Sequence, residues 1–230
     1  MREKTNFLKL PLLLMGVFFV FASSCIKDEE DNGGKIEGTF TDSRDGKVYK
    51  TITIGTQVWM AENLAYLPSV VEHGTGSNTT PYYYVYEYNG TEVADAKAIS
   101  NFRIYGVLYN WEAARSACPT GWHLPSDAEW TQLTDYLGGK EIAGGKLKGT
   151  KHWITPNTGA TNQTGFTALP GGLRNFGGLF GNVGYGGYWW CATSINTDEA
   201  ISWVLSQCCS GIASNPASKE LGFSVRCLRD

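Results

Sequence analysis

The spacing of apolar and polar residues changes character several times along the chain. Residues 10–22 form a block of 13 nearly continuous apolar positions. That is too short for a membrane-spanning helix, which takes roughly 20. Thr41-Asp42-Ser43-Arg44-Asp45-Gly46 is turn chemistry, and Asp-Gly ahead of an alternating run signals a hairpin. Alternation through residues 48–54 predicts a strand, and Gly55-Thr56-Gln57 turns the chain into a second short strand at 58–60. Residues 68–103 show no period, and 82–88 reads as a strand or a tyrosine-rich loop. Two helices are predicted. The first covers about 108–117, with Trp111, Ala114 and Ala117 on one side. The second opens at Ser126, an N-cap with Glu129 three residues on, which is a capping box. Trp130, Leu133 and Leu137 keep helical spacing, and Gly138-Gly139 closes the element. Beyond Gly145 there is no helical period. Short apolar runs at 166–169, 188–193, 201–205 and 223–227 lie among glycines and predict strands and long loops.

The flanks of the apolar block change its meaning. Arg2, Lys4 and Lys9 precede it and small residues follow, which makes a secretory signal. Ala22-Ser23-Ser24-Cys25 resembles a bacterial lipobox, which implies that Cys25 becomes the first mature residue and carries lipid. Lys27-Asp28-Glu29-Glu30-Asp31 resembles the acidic export signal of surface lipoproteins in the Bacteroidota. The organisation read from this is a lipoprotein signal peptide at 1–24, a flexible acidic tether at 25–37 and a folded domain at 38–230. The implied location is the outer membrane, lipid-anchored and facing outward.

Removing 24 residues from 230 leaves 206, enough for one well-buried domain. The leader holds three of the 19 basic residues and one of the 22 acidic ones. The mature chain therefore has 16 against 21, a net charge of −5. With no basic tract, nucleic acid is not an expected partner. High glycine and aromatic content with few charges suits a loop-rich extracellular fold. Five cysteines remain after Cys25: Cys118, Cys191, Cys208, Cys209 and Cys227. Export permits disulfides, and the odd count leaves at least one thiol unpaired or intermolecular.

The residues offer little catalytic chemistry. His73, His123 and His152 have no metal-ligand spacing to another His or Cys, so no metal site and no cofactor is expected. Neither Gly-x-Ser-x-Gly nor His-Glu-x-x-His occurs. His123 precedes a Pro and a cap, which suits a buried or capping role. Trp59, Trp122, Trp130, Trp189 and Trp190 read as core, with Trp122 and Trp130 sharing one cluster. Residues 171–187 hold eight glycines. They lack the strand, helix and Lys of a phosphate-cradling loop and read as a long surface loop.

Several ordered blocks carry a family resemblance. They are residues 41–49, Gln57-Val58-Trp59-Met60-Ala61-Glu62-Asn63-Leu64, Tyr105-Gly106-Val107-Leu108-Tyr109-Asn110-Trp111 and Cys118-Pro119-Thr120-Gly121-Trp122-His123-Leu124-Pro125-Ser126. Further on come Leu169-Pro170-Gly171-Gly172-Leu173-Arg174-Asn175, Gly187-Tyr188-Trp189-Trp190 and Gly222-Phe223-Ser224-Val225-Arg226-Cys227. Together they resemble the Fibrobacter succinogenes major paralogous domain over about 38–230. The resemblance implies an α+β, C-type-lectin-like fold with two helices, small antiparallel sheets and long Gly-rich loops. It implies a Cys118–Cys227 disulfide, with Cys191 then pairing with Cys208 or Cys209. It also makes the 171–187 region the place where a ligand would lie, with Arg174, Asn175, Asn182 and Tyr185 as contact candidates. Lectin-type calcium is not expected, because residues 150–194 contain no Asp or Glu. The expected function is a non-catalytic, lipid-anchored surface module that contacts glycans or other envelope and extracellular partners. The alternative is an enzyme of the formylglycine-generating type on the same fold, which uses a cysteine pair separated by several residues. Here Cys208 and Cys209 are adjacent.

Overall fold

The computed structural model describes Met1 and residues 35–230. Cys25, the lipobox and the acidic tract lie outside the described residues. In chain order the first elements are strands β1 (Lys35–Thr41), β2 (Val48–Ile54), β3 (Gln57–Met60) and β4 (Tyr83–Tyr84), then helices α1 (Val93–Ala98) and α2 (Ser100–Tyr105). Strand β5 (Leu108–Tyr109), α3 (Trp111–Ala114), β6 (Trp122–His123), α4 (Asp127–Tyr136) and α5 (Lys140–Leu147) follow. The last third is all strand: β7 (Gly171–Arg174), β8 (Phe180–Val183), β9 (Gly186–Ser194), β10 (Glu199–Ser206), β11 (Ile212–Ser218) and β12 (Leu228–Arg229). Strand β1 opens at Lys35.

One five-stranded antiparallel sheet has the order β1-β2-β3-β12-β6. Leu228 of β12 pairs with Trp59 on one side and His123 on the other. A second five-stranded sheet has the order β11-β10-β9-β7-β8, antiparallel except for the parallel contact of Gly172 with Gly187. The fold is thus mixed helix and sheet, as expected. The helix count is not: five helices are present among the described residues.

The differences have local causes. Helix α4 forms as predicted: Ser126 Oγ accepts from the Glu129 N–H, and Glu129 Oε2 accepts from the Ser126 N–H at 2.7 Å. The expected 108–117 helix shrinks to α3. Residues 108–109 pair with β4 instead, and Asn110 caps the helix by accepting from the Ala113 N–H at 3.1 Å. Helix α5 has poor intrinsic propensity because of Gly144 and Gly145. Both glycines are buried, and a Cβ there would stand 2.2 Å from the Gly211 carbonyl oxygen or 2.4 Å from that of Gly159. Backbone contact holds this helix where propensity would not. The 171–187 region is not a surface loop. It is β7, β8 and the start of β9, and its glycines permit close strand approach: a Cβ on Gly172 would lie 2.4 Å from the Gly181 oxygen.

Two aromatic clusters make the core. In one, Trp130 stacks on Trp203 (5.6 Å, 16°) and meets Trp59 at 5.0 Å, with Phe166 and Trp189 alongside. The other gathers Tyr49, Tyr109, Trp111, Trp122, Trp190 and Phe223. Trp122, on β6, and Trp130, on α4, therefore belong to different clusters.

Candidate functional site

The expected site residues do not converge. Arg174 is fully buried. Its Nε donates to the His73 carbonyl at 2.8 Å, its NH1 to that of Glu220 at 3.1 Å, and its guanidinium lies 4.7 Å from the Tyr84 ring centroid. It ties β7 to the segments at residues 73 and 220 and is shut off from solvent, which corrects its place among the contact candidates. Asn175 is turned inward on its own hairpin, where its Oδ1 accepts from the Leu179 N–H. Asn182 and Tyr185 are exposed at the β8–β9 turn, and Asn182 Nδ2 donates to the Tyr188 hydroxyl at 2.8 Å.

The cysteines divide similarly. Cys118 and Cys227 are bonded, with 5.9 Å between their Cα atoms. The expected pairing of Cys191 with Cys208 is absent. Cys191 is a buried free thiol on β9, where burial raises its pKa, and Cys208 is a free thiol exposed beyond β10. Core packing separates them. His123 serves the cap: its Nε2 lies 3.0 Å from Glu129 Oε1 and its Nδ1 2.6 Å from Asp230 Oδ1.

A different group of residues comes together around Thr167 and Leu169. These two side chains form a wall shared by two hollows, of ≈ 180 Å³ and ≈ 270 Å³. The smaller is bordered by Lys47, Glu62 and Arg103, the larger by Lys151, His152 and Asn162. Tyr105 joins the two sides, because its ring meets the His152 ring edge-on at 6.0 Å. Burial raises the Tyr105 hydroxyl pKa, and the Tyr86 hydroxyl adds to it.

The loop 149–167 is built backbone-first. The Gly149 N–H donates to the Ala168 carbonyl at 2.9 Å, and the Trp153 indole N–H reaches the same oxygen at 3.0 Å. Asn162 closes the far end, accepting from the Thr167 N–H at 2.8 Å and donating to Thr167 Oγ1. Four non-glycine residues of this loop, His152, Asn157, Asn162 and Thr167, hold positive φ (70°, 42°, 51° and 53°). For a β-branched residue such as Thr167 this is a costly conformation, of a kind that gathers at ligand sites. The Ile154 N–H donates to the Gly184 carbonyl at 2.9 Å, which sets the Asn182–Tyr185 turn beside the loop.

The charges of this cleft are one-sided. Lys47 pairs with Glu62 at 3.5 Å. Arg103 and Lys151 are exposed and have no ion-pair partner among the described residues. A cationic rim on an acidic chain favours anionic groups, and guanidinium suits carboxylate or sulfate by bidentate bonding. Sequence reasoning missed Arg103, Lys151 and His152. The acid-free stretch 150–194 is the visible signal for Lys151 and His152, and nothing local marks Arg103.

The family model of the Fibrobacter succinogenes major domain matches residues 52–229, so the chain belongs to that family. No curated protein and no solved structure shows a significant match.

Proposed function

We propose that this family member is a lipid-anchored surface protein with a C-type-lectin-like domain that binds anionic glycans non-catalytically. The anchor reading rests on Ala22-Ser23-Ser24-Cys25 and the acidic tract after it. The C-type-lectin-like reading rests on the ordered sequence blocks, and the interleaved helices and small sheets are compatible with it. The observation that carries the binding reading is the unpaired Arg103 and Lys151 on either side of the Thr167–Leu169 wall. The residues bordering both hollows include a single carboxylate, Glu62, and no cysteine, a composition suited to holding a ligand.

The test is a glycan array probed with the full chain, with neutral and sulfated or uronate-bearing glycans side by side. Anionic glycans should bind in preference and weaken as salt rises. Arg103→Ala and Lys151→Ala should each cost about tenfold in affinity, the worth of one charged hydrogen bond. Equal binding of neutral glycans, or full binding by the double variant, would remove this cleft from the function.

A further inference from the structure

Cys208 and Cys209 sit in the turn between β10 and β11, both free and exposed. Beneath them lies Lys148, fully buried. Its Nζ donates to the carbonyls of Thr158 (2.9 Å), Ser206 (3.0 Å) and Cys209 (2.8 Å). Those bonds use all three ammonium protons, and no carboxylate among the described residues pairs with the charge. A buried charge without a counter-ion costs several kcal/mol. The ionisable groups set against this one are the two thiols.

The two sulfurs are not equivalent. Ser206 Oγ stands 3.2 Å from Cys208 Sγ. That oxygen already accepts the Cys208 N–H, so its own proton is available to the sulfur. The Ser206 hydroxyl, the neighbouring Cys209 thiol and the Lys148 charge lower the Cys208 pKa. Burial and the neighbouring sulfur raise that of Cys209. Beside the pair is a hollow of ≈ 380 Å³ whose lining includes Ser206, Cys209, Lys140 and Glu141. Lys140 and Glu141 offer an ammonium and a carboxylate, complementary to a zwitterion.

We propose that Cys208 is a thiol–disulfide exchange site that takes up half of a small amino-acid disulfide, with Ser206 as its hydrogen-bonding neighbour and Lys148 as its cation. The Cys208 thiolate attacks one sulfur of R–S–S–R. A bond forms between Cys208 Sγ and that sulfur while the R–S–S–R bond breaks. The second half leaves as RS⁻ and takes a proton from water. The disulfide is the oxidant, reduced to one thiol and one mixed disulfide. An exported chain with its own Cys118–Cys227 bond meets such disulfides.

The experiment exposes the full chain to cystine and maps the adducts by non-reducing mass spectrometry. One half-cystine should appear on Cys208 and none on Cys191. Cys208→Ser should abolish it, and Cys209→Ser should keep it. Iodoacetamide should alkylate Cys208 about threefold faster than free cysteine at pH 7, the net of more thiolate and its lower intrinsic nucleophilicity. Lys148→Met should return that rate to the free-cysteine level; if it fails to fold, Ser206→Ala, which removes only an outer donor, should slow the reaction instead. Label shared equally between Cys208 and Cys209, or alkylation no faster than free cysteine, would overturn the proposal.

Discussion

Arg226→Met tests how the two core clusters and the cleft are held together. Arg226 is fully buried and makes no ion pair among the described residues. Its NH1 donates to the Phe166 carbonyl at 2.6 Å and to that of Met60 at 3.2 Å. Its NH2 donates to Asn63 Oδ1 at 2.8 Å and to the Thr167 carbonyl at 3.4 Å. The guanidinium also lies 4.3 Å from the Phe166 ring centroid. Methionine fills much of the same volume but donates nothing, so buried oxygens on two segments, 60–63 and 166–167, lose a donor. Each buried acceptor left unsatisfied costs about 1–3 kcal/mol, partly offset by no longer burying a charge, which nets about 3–5 kcal/mol over these oxygens. With a urea slope of about 2 kcal/mol per molar, the unfolding midpoint should fall by about 2 M. Arg226→Lys keeps the charge but not the fork, and should fall between the two. The assay is urea unfolding followed by tryptophan fluorescence. A drop under about 0.5 M for Arg226→Met would mean that the desolvation of the cation cancels its bonds, and the account of the clamp would be wrong.

Two further predictions concern the ends of the domain. Burial alone would lower the His123 pKa, but hydrogen bonds and charges from Asp230 and Glu129 outweigh it and the net shift is upward. Its stabilising contribution is therefore full below its ordinary value and fades as pH rises through the raised one. The melting-temperature gap between wild type and His123→Gln should be wider at pH 6 than at pH 8, and a flat gap would refute this. The double variant Cys118→Ser, Cys227→Ser opens a link across 109 residues. It should lose about 4.7 kcal/mol in the chain-entropy model, and unchanged chemical denaturation would show that the bond does not restrain the unfolded chain.

What the sequence made legible was local. The Ser126–Glu129 capping box needs only four residues to specify itself, and α4 follows from it. The β2 alternation is likewise self-contained. Helices α1 and α2 run for six residues each, too short to display a period. The glycines of β7–β9 looked like loop residues because their purpose, space for a neighbouring backbone, belongs to contacts distant in sequence. Arg174 looked like a ligand contact for the same reason: the carbonyls that bury it come from residues 73 and 220. The cleft was hidden because Arg103 and Lys151 are brought to one place by residues distant in sequence, the Tyr105–His152 ring pair and the Thr167–Leu169 wall.

The position of β12 bears on the order in which the domain can fold. Residues 228–229 sit between β3 and β6, so the short strand at 122–123 has no partner in that sheet until they arrive. A polypeptide emerging amino end first can close the β1–β3 meander from neighbours alone. The remainder must wait for pairings across more than 100 residues, which are slow to form. The first sheet thus cannot be completed until residues 228–229 are available to bridge β3 and β6. A chain interrupted short of residue 226 would lack that strand, the buried guanidinium and the Cys227 thiol at once. It would leave β3 and β6 unbridged and the core open to proteolysis.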